Sequence, residues 1–456
     1  MSELHRLLVI SYFFPPIGGA GIERTLKHVT YLPAHGWEPV VVAPSNSAYR
    51  IIDPALLARV PPGLEVRRAP TLEPAHLRQL ARSVLGRPSA ATTARAGPAG
   101  RTAPPTTHGG GLREMANALW ARLIPRVFFP DEHILWAPGA IAEGWSAHRS
   151  RPVDAIYSSS PPITAHLVAA ALRPVLGVPW IADFRDPWIG NAFARPLPAA
   201  HRALQVELER TIVTAAARST FPTEPLRDAY SARYPRQADR LVHIPNGYDL
   251  ADLADVGDAA STSDLGEAAE PGTFRIVYSG SIYEPGDLSL LLDGLELALE
   301  RRPELRGRLR VELVGWLSAE TQPIADARIP RLGPVVRHLG QRPRSEALAR
   351  TRRADAGLLL IGPAVGRELF IGTKLYEYLG ADRQVLAVAP RGAASAVLDN
   401  LDWGVVAEPT PVGVANGIDR LLAGGLRSGV ADPERRYERR TLAGLLAGQL
   451  DEVVSA

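Results

Sequence analysis

Residues 370–380 read Phe-Ile-Gly-Thr-Lys-Leu-Tyr-Glu-Tyr-Leu-Gly, and residues 384–390 read Gln-Val-Leu-Ala-Val-Ala-Pro. The Gly-Thr pair is typical of a helix start, and the apolar run that follows predicts a buried strand. Lys374 lies in the first turn of the predicted helix, and Glu377 shares its face three residues later. A helix that leads directly into a buried strand is the repeating unit of a parallel α/β sheet.

The start of this helix carries the groups that a diphosphate needs. Free N–H groups and a partial positive charge at a helix start attract phosphate, and Lys374 adds a full charge. The chain has only two lysines, against 49 arginines. Glu377 can accept hydrogen bonds from the paired hydroxyls of a sugar. Thr373, Lys374 and Glu377 therefore indicate a nucleotide-sugar site.

The same alternation of strands and helices runs through both halves of the chain. Strands are predicted at residues 6–11, 39–43, 64–69, 155–158, 179–182 and 241–244, and then at 274–279, 309–314, 335–339, 356–361 and 384–389. This pattern predicts an α/β protein with two Rossmann-like, doubly wound domains that face each other across a cleft. We predict an N-terminal domain over residues 1–245, a linker over 246–272, a C-terminal domain over 273–430 and a terminal helix over 431–456.

One segment of the N-terminal half has a different composition. Residues 86–112 are rich in Pro, Gly, Ala and Thr, which predicts a mobile loop. The apolar pattern after it predicts a helix over residues 112–124, with Arg113, Arg122 and Arg126 in or beside it. Such a helix can lie on an anionic membrane surface, cap an acceptor site or simply pack on its own domain.

Composition limits the class of protein. The chain has 456 residues, a formal net charge of +3 and no cysteine. The small, dispersed charge argues against nucleic acid as a partner, and the missing cysteines exclude disulfides and thiolate chemistry. The histidines show no metal-ligand spacing, so we expect no metal and no cofactor. The apolar run at residues 7–14 is too short to span a membrane, and we expect a cytoplasmic protein.

A glycine-rich turn joins the first strand to the first helix, with glycines at Gly18, Gly19 and Gly21. Such a turn lets a ligand approach the backbone closely. A dinucleotide site would also need an acidic residue near the end of the second strand, but residues 41–46 carry no carboxylate. The turn either touches a substrate phosphate or sugar, or is a purely structural turn.

Charged residues follow another predicted strand of the N-terminal half. Asp183, Arg185 and Asp186 come directly after residues 179–182, so they lie at the edge where ligands bind in such sheets. One of them could orient an acceptor hydroxyl or move its proton. The alternative for Asp183 is an Arg–Asp pair that braces the loop. In the second half, Gly280 and Ser281 end the first strand in a turn that suits a phosphate.

Taken together, these pieces resemble a GT-B glycosyltransferase, most closely glycosyltransferase family 4. The ordered set is Phe13-Phe14-Pro15-Pro16 with the three glycines, Pro130-Asp131 with Trp136, the segment 183–188, the segment 244–249, the segment 278–281, Leu339-Gly340 and the segment 373–378. The resemblance implies a retaining, metal-independent transfer of a sugar from a nucleotide-sugar to a hydroxylated acceptor. It implies that Lys374 assists the leaving diphosphate and that Glu377 holds the ribose. The family's usual active-site histidine of the N-terminal domain is missing here, and Arg185 and Asp186 occupy that region. From their position after a predicted strand, we expect these two residues to act catalytically.

The chain also departs from the family pattern. The first of the family's two glutamates would fall at Leu369, with Glu368 one place away as a substitute. The Arg and Lys expected after the Gly280 turn are replaced by the segment 284–287, which leaves Lys374, the helix start and Arg367 or Arg185 to hold the diphosphate. A non-catalytic sugar-nucleotide-binding subunit and a sugar-nucleotide epimerase are therefore alternatives. A glycan, a lipid-linked sugar or a natural product would serve as acceptor, and peripheral contact with the inner membrane face is a further expectation.

Overall fold

The computed structural model describes residues 4–49, 51–77, 128–191, 197–254, 272–424 and 428–456. The loop predicted over residues 86–112, the helix predicted after it and most of the predicted linker lie outside these ranges. The described residues form two compact units. The first holds the chain up to Pro245 together with Arg439–Ala456, and the second holds Asn246–Glu438.

The first unit is built on a parallel sheet of seven strands in the order β3-β2-β1-β4-β5-β6-β7. Strand β1 is apolar and buried from Leu7 to Ile10, because both of its faces are covered, and it pairs on both sides, as Leu8 does with Val40 and Ile156. The strands are β1 His5–Ile10, β2 Trp37–Pro44, β3 Glu65–Ala69, β4 Ala155–Ser160, β5 Trp180–Phe184, β6 Arg218–Phe221 and β7 Leu241–His243. The helices described in this part of the chain are α1 Glu23–Tyr31, α2 Ala137–Ser150, α3 Thr164–Leu176, α4 Ala199–Ala215 and α5 Glu224–Arg233.

The second unit repeats the arrangement with a parallel sheet of six strands in the order β10-β9-β8-β11-β12-β13. Its strands are β8 Phe274–Ser279, β9 Leu309–Val314, β10 Val336–Gly340, β11 Ala356–Leu360, β12 Gln384–Val388 and β13 Gly404–Ala407. Its described helices are α6 Leu250–Ala254, α7 Pro285–Arg301, α8 Leu305–Arg308, α9 Gln322–Arg328, α10 Arg344–Arg353, α11 Thr373–Gly380, α12 Ala393–Leu401 and α13 Pro411–Leu422. The prediction of two doubly wound α/β sheets is confirmed.

Two strands were missing from the prediction. Strands β6 and β13 have four residues each. Both pair in parallel with a longer strand, through Ile181 with Arg218 and Val385 with Gly404. Their conformation therefore depends on pairing with partners that are distant in sequence.

The last helix, α14, begins at Arg439 and ends at Ser455, later than the start predicted at residue 431. Before it, the Asp432 carboxylate accepts hydrogen bonds from the N–H groups of Arg436 and Tyr437, at 3.0 and 2.8 Å. These bonds, with Arg435 at φ 54°, fold residues 432–438 into turns. Helix α14 packs in the first unit, where Leu446 and Leu450 join the core beside β1 and β2.

None of the helices in the described ranges is long and apolar enough to cross a membrane.

Candidate active site

Each sheet has one point where the strand order changes direction. In the second sheet this point lies between β8 and β11, whose following loops begin at Gly280 and Ile361. Ligands of doubly wound sheets bind outside the carboxyl ends of the strands at such a point. The Gly280-Ser281 turn and the loop that leads into α11 therefore meet where the topology favours a ligand.

Helix α11 brings the predicted donor residues together. It starts at Thr373 after Gly372, and no side chain caps its start, so its first N–H groups suit an anion. The Lys374 Nζ lies 3.1 Å from Glu377 Oε2. The Lys374 Cε lies 3.6 Å from where a Cβ on Gly280 would stand. Helix start, lysine, glutamate and glycine turn thus form one continuous site.

The sheet fixes the position of α11 through Tyr378, which the sequence did not single out. The Tyr378 hydroxyl accepts a hydrogen bond from the Ser279 N–H at 3.0 Å and donates one to the Leu358 carbonyl at 3.1 Å. Its ring fills the space that a side chain at Gly357 would take. The buried hydroxyl therefore links α11 to the carboxyl ends of β8 and β11, on either side of the switch point.

A further cation reaches the same glutamate. The Arg344 Nη1, at the start of α10, lies 3.2 Å from Glu377 Oε1. The two residues are 33 positions apart, so no local pattern in the sequence signals the contact. Both oxygens of Glu377 consequently face a cation in the ligand-free protein.

The segment that replaces the expected Arg and Lys contributes a carboxylate. Asp287, in the first turn of α7, accepts hydrogen bonds from Arg367 Nη1 at 2.9 Å on both oxygens. Burial raises the pKa of Asp287, and the Arg367 guanidinium opposes that rise. Gly362 has no Cβ at the point where this carboxylate packs. Arg367, considered above as a cation for the diphosphate, therefore already neutralises Asp287.

Glu368, the candidate substitute for the first family glutamate, lies in a short 3₁₀ turn over Arg367–Leu369. Its backbone carbonyl packs against Gly392. Its half-buried side chain makes no hydrogen bond or ion pair in the ranges that the structure describes.

Ser281, in the turn after β8, is held through its backbone. Its carbonyl accepts a hydrogen bond from the Tyr278 hydroxyl at 3.1 Å, and this bond fixes the turn.

In the first unit, Asp183 lies in a closed polar network. Its carboxylate, which is fully buried, accepts hydrogen bonds from the Arg24 guanidinium at 2.8–3.1 Å, from the Ser159 hydroxyl at 2.9 Å and from the Thr220 hydroxyl at 2.7 Å. Although burial acts in the opposite direction, Arg24 holds the pKa of Asp183 well below its usual range. This network supports the bracing role among the two roles considered for Asp183.

Arg185 binds backbone carbonyls on two loops. Its Nε donates to the Ser160 carbonyl at 3.1 Å, and its terminal nitrogens donate to the carbonyls of Gly21 and Pro161. The guanidinium also lies over the Phe13 ring, 5.8 Å from its centroid. Arg185 therefore holds the glycine turn against the loop after β4, on either side of the switch point of the first sheet.

The glycine turn itself is shaped by its backbone. Gly19 is exposed and has φ 101°, a conformation that other residues rarely adopt. The Gly18 N–H donates to the Ile51 carbonyl at 2.9 Å. The turn thus has a structural role, and its exposed Gly19 leaves the backbone accessible.

Asp186 differs from Asp183 although it lies only three residues later. It is half-buried and makes no hydrogen bond or ion pair in the described part of the chain. Burial raises the pKa of Asp186, and the neighbouring Arg185 opposes that rise. An unpaired carboxylate with a raised pKa at the carboxyl end of a strand is suited to accept a proton.

Sequence reasoning passed over a buried cluster at the carboxyl ends of β1 to β3. The Tyr12 hydroxyl donates to Glu73, and the His133 ring lies on the Tyr12 ring with 3.9 Å between centroids. His133 Nδ1 lies 3.9 Å from the Glu73 carboxylate. The order of the strands brings these three residues together, although they lie up to 121 positions apart in the sequence. No local sequence pattern could have revealed the cluster.

Across the described ranges, no group of three or more His, Asp or Glu side chains is arranged to hold a metal ion.

Comparison with known sequences matches parts of the chain. The model of Glycosyltransferase Family 4 matches residues 102–252. D-inositol 3-phosphate glycosyltransferase of Kineococcus radiotolerans is 30% identical over 254 residues, which are 54% of this chain and 57% of that protein. The chain therefore spans little more than half the length of this curated relative.

Solved structures resemble the fold over nearly all of both chains. HepE of Anabaena, crystallised with UDP, has a TM-score of 0.56 at 15% identity, with 99% of this chain and 98% of that chain covered. A glycosyltransferase of Rickettsia africae has a TM-score of 0.59 at 12% identity, with coverage of 100% and 99%. The chain has the GT-B fold and resembles glycosyltransferase family 4. Two predictions are thereby confirmed for this GT-B chain. They are the two parallel sheets and the resemblance to glycosyltransferase family 4 that its motifs indicated.

Proposed function

We propose that the protein is a retaining, metal-independent glycosyltransferase that moves a sugar from a nucleotide-sugar donor to a hydroxylated acceptor. The observation that carries the proposal is the placement of Lys374 and Glu377 on one face of α11, beside Gly280 at the switch point of the second sheet. A cation for the diphosphate and a carboxylate for the ribose stand within one helix turn of each other.

The comparisons support this class of donor. HepE of Anabaena has been crystallised with UDP, with UDP and glucose, and with UDP-glucose. The curated relative is named as a glycosyltransferase. We infer that this chain likewise binds a sugar nucleotide, without a resident metal or cofactor.

The proposed chemistry places growing negative charge on the leaving diphosphate as the glycosidic bond breaks. Lys374 and the N–H groups at the start of α11 are preorganised to stabilise that charge. The acceptor hydroxyl attacks from the face on which the diphosphate departs, which retains the configuration at the anomeric carbon. Asp186 accepts the proton of the acceptor hydroxyl, or it orients that hydroxyl while the leaving phosphate takes the proton. Arg185 holds the loop in which Asp186 lies.

The acceptor is proposed to be a glycan, a lipid-linked sugar or a natural product with a free hydroxyl. We further propose a cytoplasmic protein that contacts the inner membrane face peripherally. Co-sedimentation with anionic liposomes at low salt, where electrostatic attraction is strongest, tests the membrane contact. A protein that stays in the supernatant under those conditions would contradict it.

The decisive experiment uses the purified full chain. A thermal-shift panel of nucleotide sugars identifies the donor, because a ligand that binds the folded state raises its stability. Transfer to candidate acceptors is then followed with and without EDTA, and the anomeric configuration of the product is read by NMR. Transfer with retention that survives EDTA supports the proposal, whereas an inverted product or a loss of activity with EDTA contradicts it.

One observation favours a second candidate, a non-catalytic GT-B subunit that binds a sugar nucleotide. Arg367 is already paired with Asp287, so the site has fewer cations for a diphosphate than the family pattern provides. The two candidates are separated by the purified chain alone. Nucleotide-sugar binding without any transfer or donor hydrolysis would favour the auxiliary subunit.

A further inference from the structure

Arg344 stands out among the charged residues around the donor site. Its Nη1 lies 3.2 Å from Glu377 Oε1, and its Nη2 lies 3.4 Å from Asp252 Oδ2 on α6. Lys374 Nζ holds the other oxygen of Glu377 at 3.1 Å. Glu377, the glutamate proposed to bind ribose, is therefore held by two cations, one on each carboxylate oxygen.

The position of Arg344 gives little to the stability of the fold. Its side chain is 45% exposed, and exposed ion pairs contribute little to the stability of a fold. It is also the first residue of α10, where the helix dipole disfavours a positive charge. A cation that stabilises its own helix poorly, yet contacts the candidate ribose carboxylate, suggests a role in binding.

We propose that Arg344 is a positioning residue in the binding of the donor nucleoside. Arg344 fixes the orientation of the Glu377 carboxylate so that this carboxylate accepts hydrogen bonds from both ribose hydroxyls. This inference rests on the proposed function of Glu377 as the ribose-binding residue. Asp252 supports Arg344 by holding its other terminal nitrogen, Nη2.

The number of hydrogen bonds that the Glu377 carboxylate can accept supports this role. A carboxylate offers about four lone-pair directions, two on each oxygen. Lys374 takes one direction on Oε2 and Arg344 takes one on Oε1, which leaves one on each oxygen. Two directions on a fixed carboxylate match the two neighbouring hydroxyls of ribose. Without Arg344 the carboxylate can rotate toward Lys374, and the match to both hydroxyls is lost.

The test measures nucleoside diphosphate binding to the full chain by calorimetry. Uridine, guanosine, adenosine and cytidine diphosphates are compared, and the tightest binder is then compared with its 2′-deoxy form. Arg344→Gln should weaken binding of the ribonucleotide about tenfold and bring its affinity close to that of the 2′-deoxy form. Arg344→Lys should restore part of the discrimination, since a cation is kept without the planar fork.

Arg342 provides a matched control. It lies two residues earlier with a similar exposure of 42%, and it pairs with Glu346 at 3.7 Å. Arg342→Gln should leave both the affinity and the ribose discrimination unchanged. Equal effects of the two substitutions would mean that only general positive charge matters, and would overturn the inference.

Two results separate this inference from the proposed function. If Glu377→Ala weakens nucleotide binding while Arg344→Gln leaves affinity and discrimination unchanged, the positioning role is wrong and the ribose role of Glu377 stands. If Glu377→Ala changes neither, the donor site itself is wrong and the inference falls with it.

Discussion

The Asp183 carboxylate and the Arg24 guanidinium form a fully buried ion pair, with 2.8 Å between Oδ1 and Nη2. Three residues later, in the loop that follows β5, Asp186 has no such partner in the described chain. The pKa of Asp183 is lowered chiefly by Arg24, and the pKa of Asp186 is raised by burial. Two acidic residues of one short segment therefore lie in different electrostatic environments, one neutralised by a buried arginine and one without such a partner.

We expect Asp183→Ala to destabilise the protein by about 3–5 kcal/mol, because it leaves the Arg24 charge buried and unpaired. Chemical denaturation of the purified variant measures the change in the free energy of unfolding. Asp228→Ala is the control, since that carboxylate is 62% exposed and pairs with Arg227 on the surface. A loss of activity in Asp183→Ala at unchanged stability would show that Asp183 has a chemical role instead.

We expect Asp186→Asn to fold normally and to lose most of its transfer activity, since the amide cannot accept the acceptor's proton. In the unmodified protein, kcat/KM should fall as the pH falls through the pKa of Asp186, because only the ionised carboxylate is a base. That pKa lies above the ordinary aspartate value of about 3.9. The pH profile of kcat/KM checks this, and persistence of the same acid limb in the variant would assign it to another group.

We expect Glu377→Ala to weaken nucleoside diphosphate binding about tenfold or more, because a hydrogen bond to a charged group contributes about 1.5–3 kcal/mol. Calorimetry measures the affinity, and the melting temperature checks that the fold is kept. Glu304→Ala is the control, because that carboxylate lies beyond the end of α7 and pairs with Arg302 on the surface. An unchanged affinity in Glu377→Ala would rule out the ribose-binding role.

We expect Lys374→Ala to lower kcat more than it raises the KM for the donor, because charge on the diphosphate grows toward the transition state. Steady-state kinetics with varied donor concentration separate the two effects. Lys374→Arg keeps the charge and should recover part of kcat. A change confined to KM would mean that Lys374 binds the ground state without assisting departure.

The sequence alone determined the two doubly wound sheets, most of their strands and helix α11. The apolar runs within β1, β2 and β12 show this directly, since a strand covered on both faces is mostly apolar. Residues 370–380 also placed Lys374 and Glu377 on one face, because positions three apart on a helix are neighbours. These features depend on local spacing, which a sequence displays.

The tertiary structure decided which distant residues meet. The pairs Arg24 with Asp183, Arg367 with Asp287 and Arg344 with Glu377 join positions 159, 80 and 33 residues apart. In an arginine-rich chain, the sequence offers many possible partners for each carboxylate. Strand order and helix placement select one of these partners. An ion pair forms only when its two groups lie within a few ångströms, and for residues far apart in sequence only the fold brings them that close.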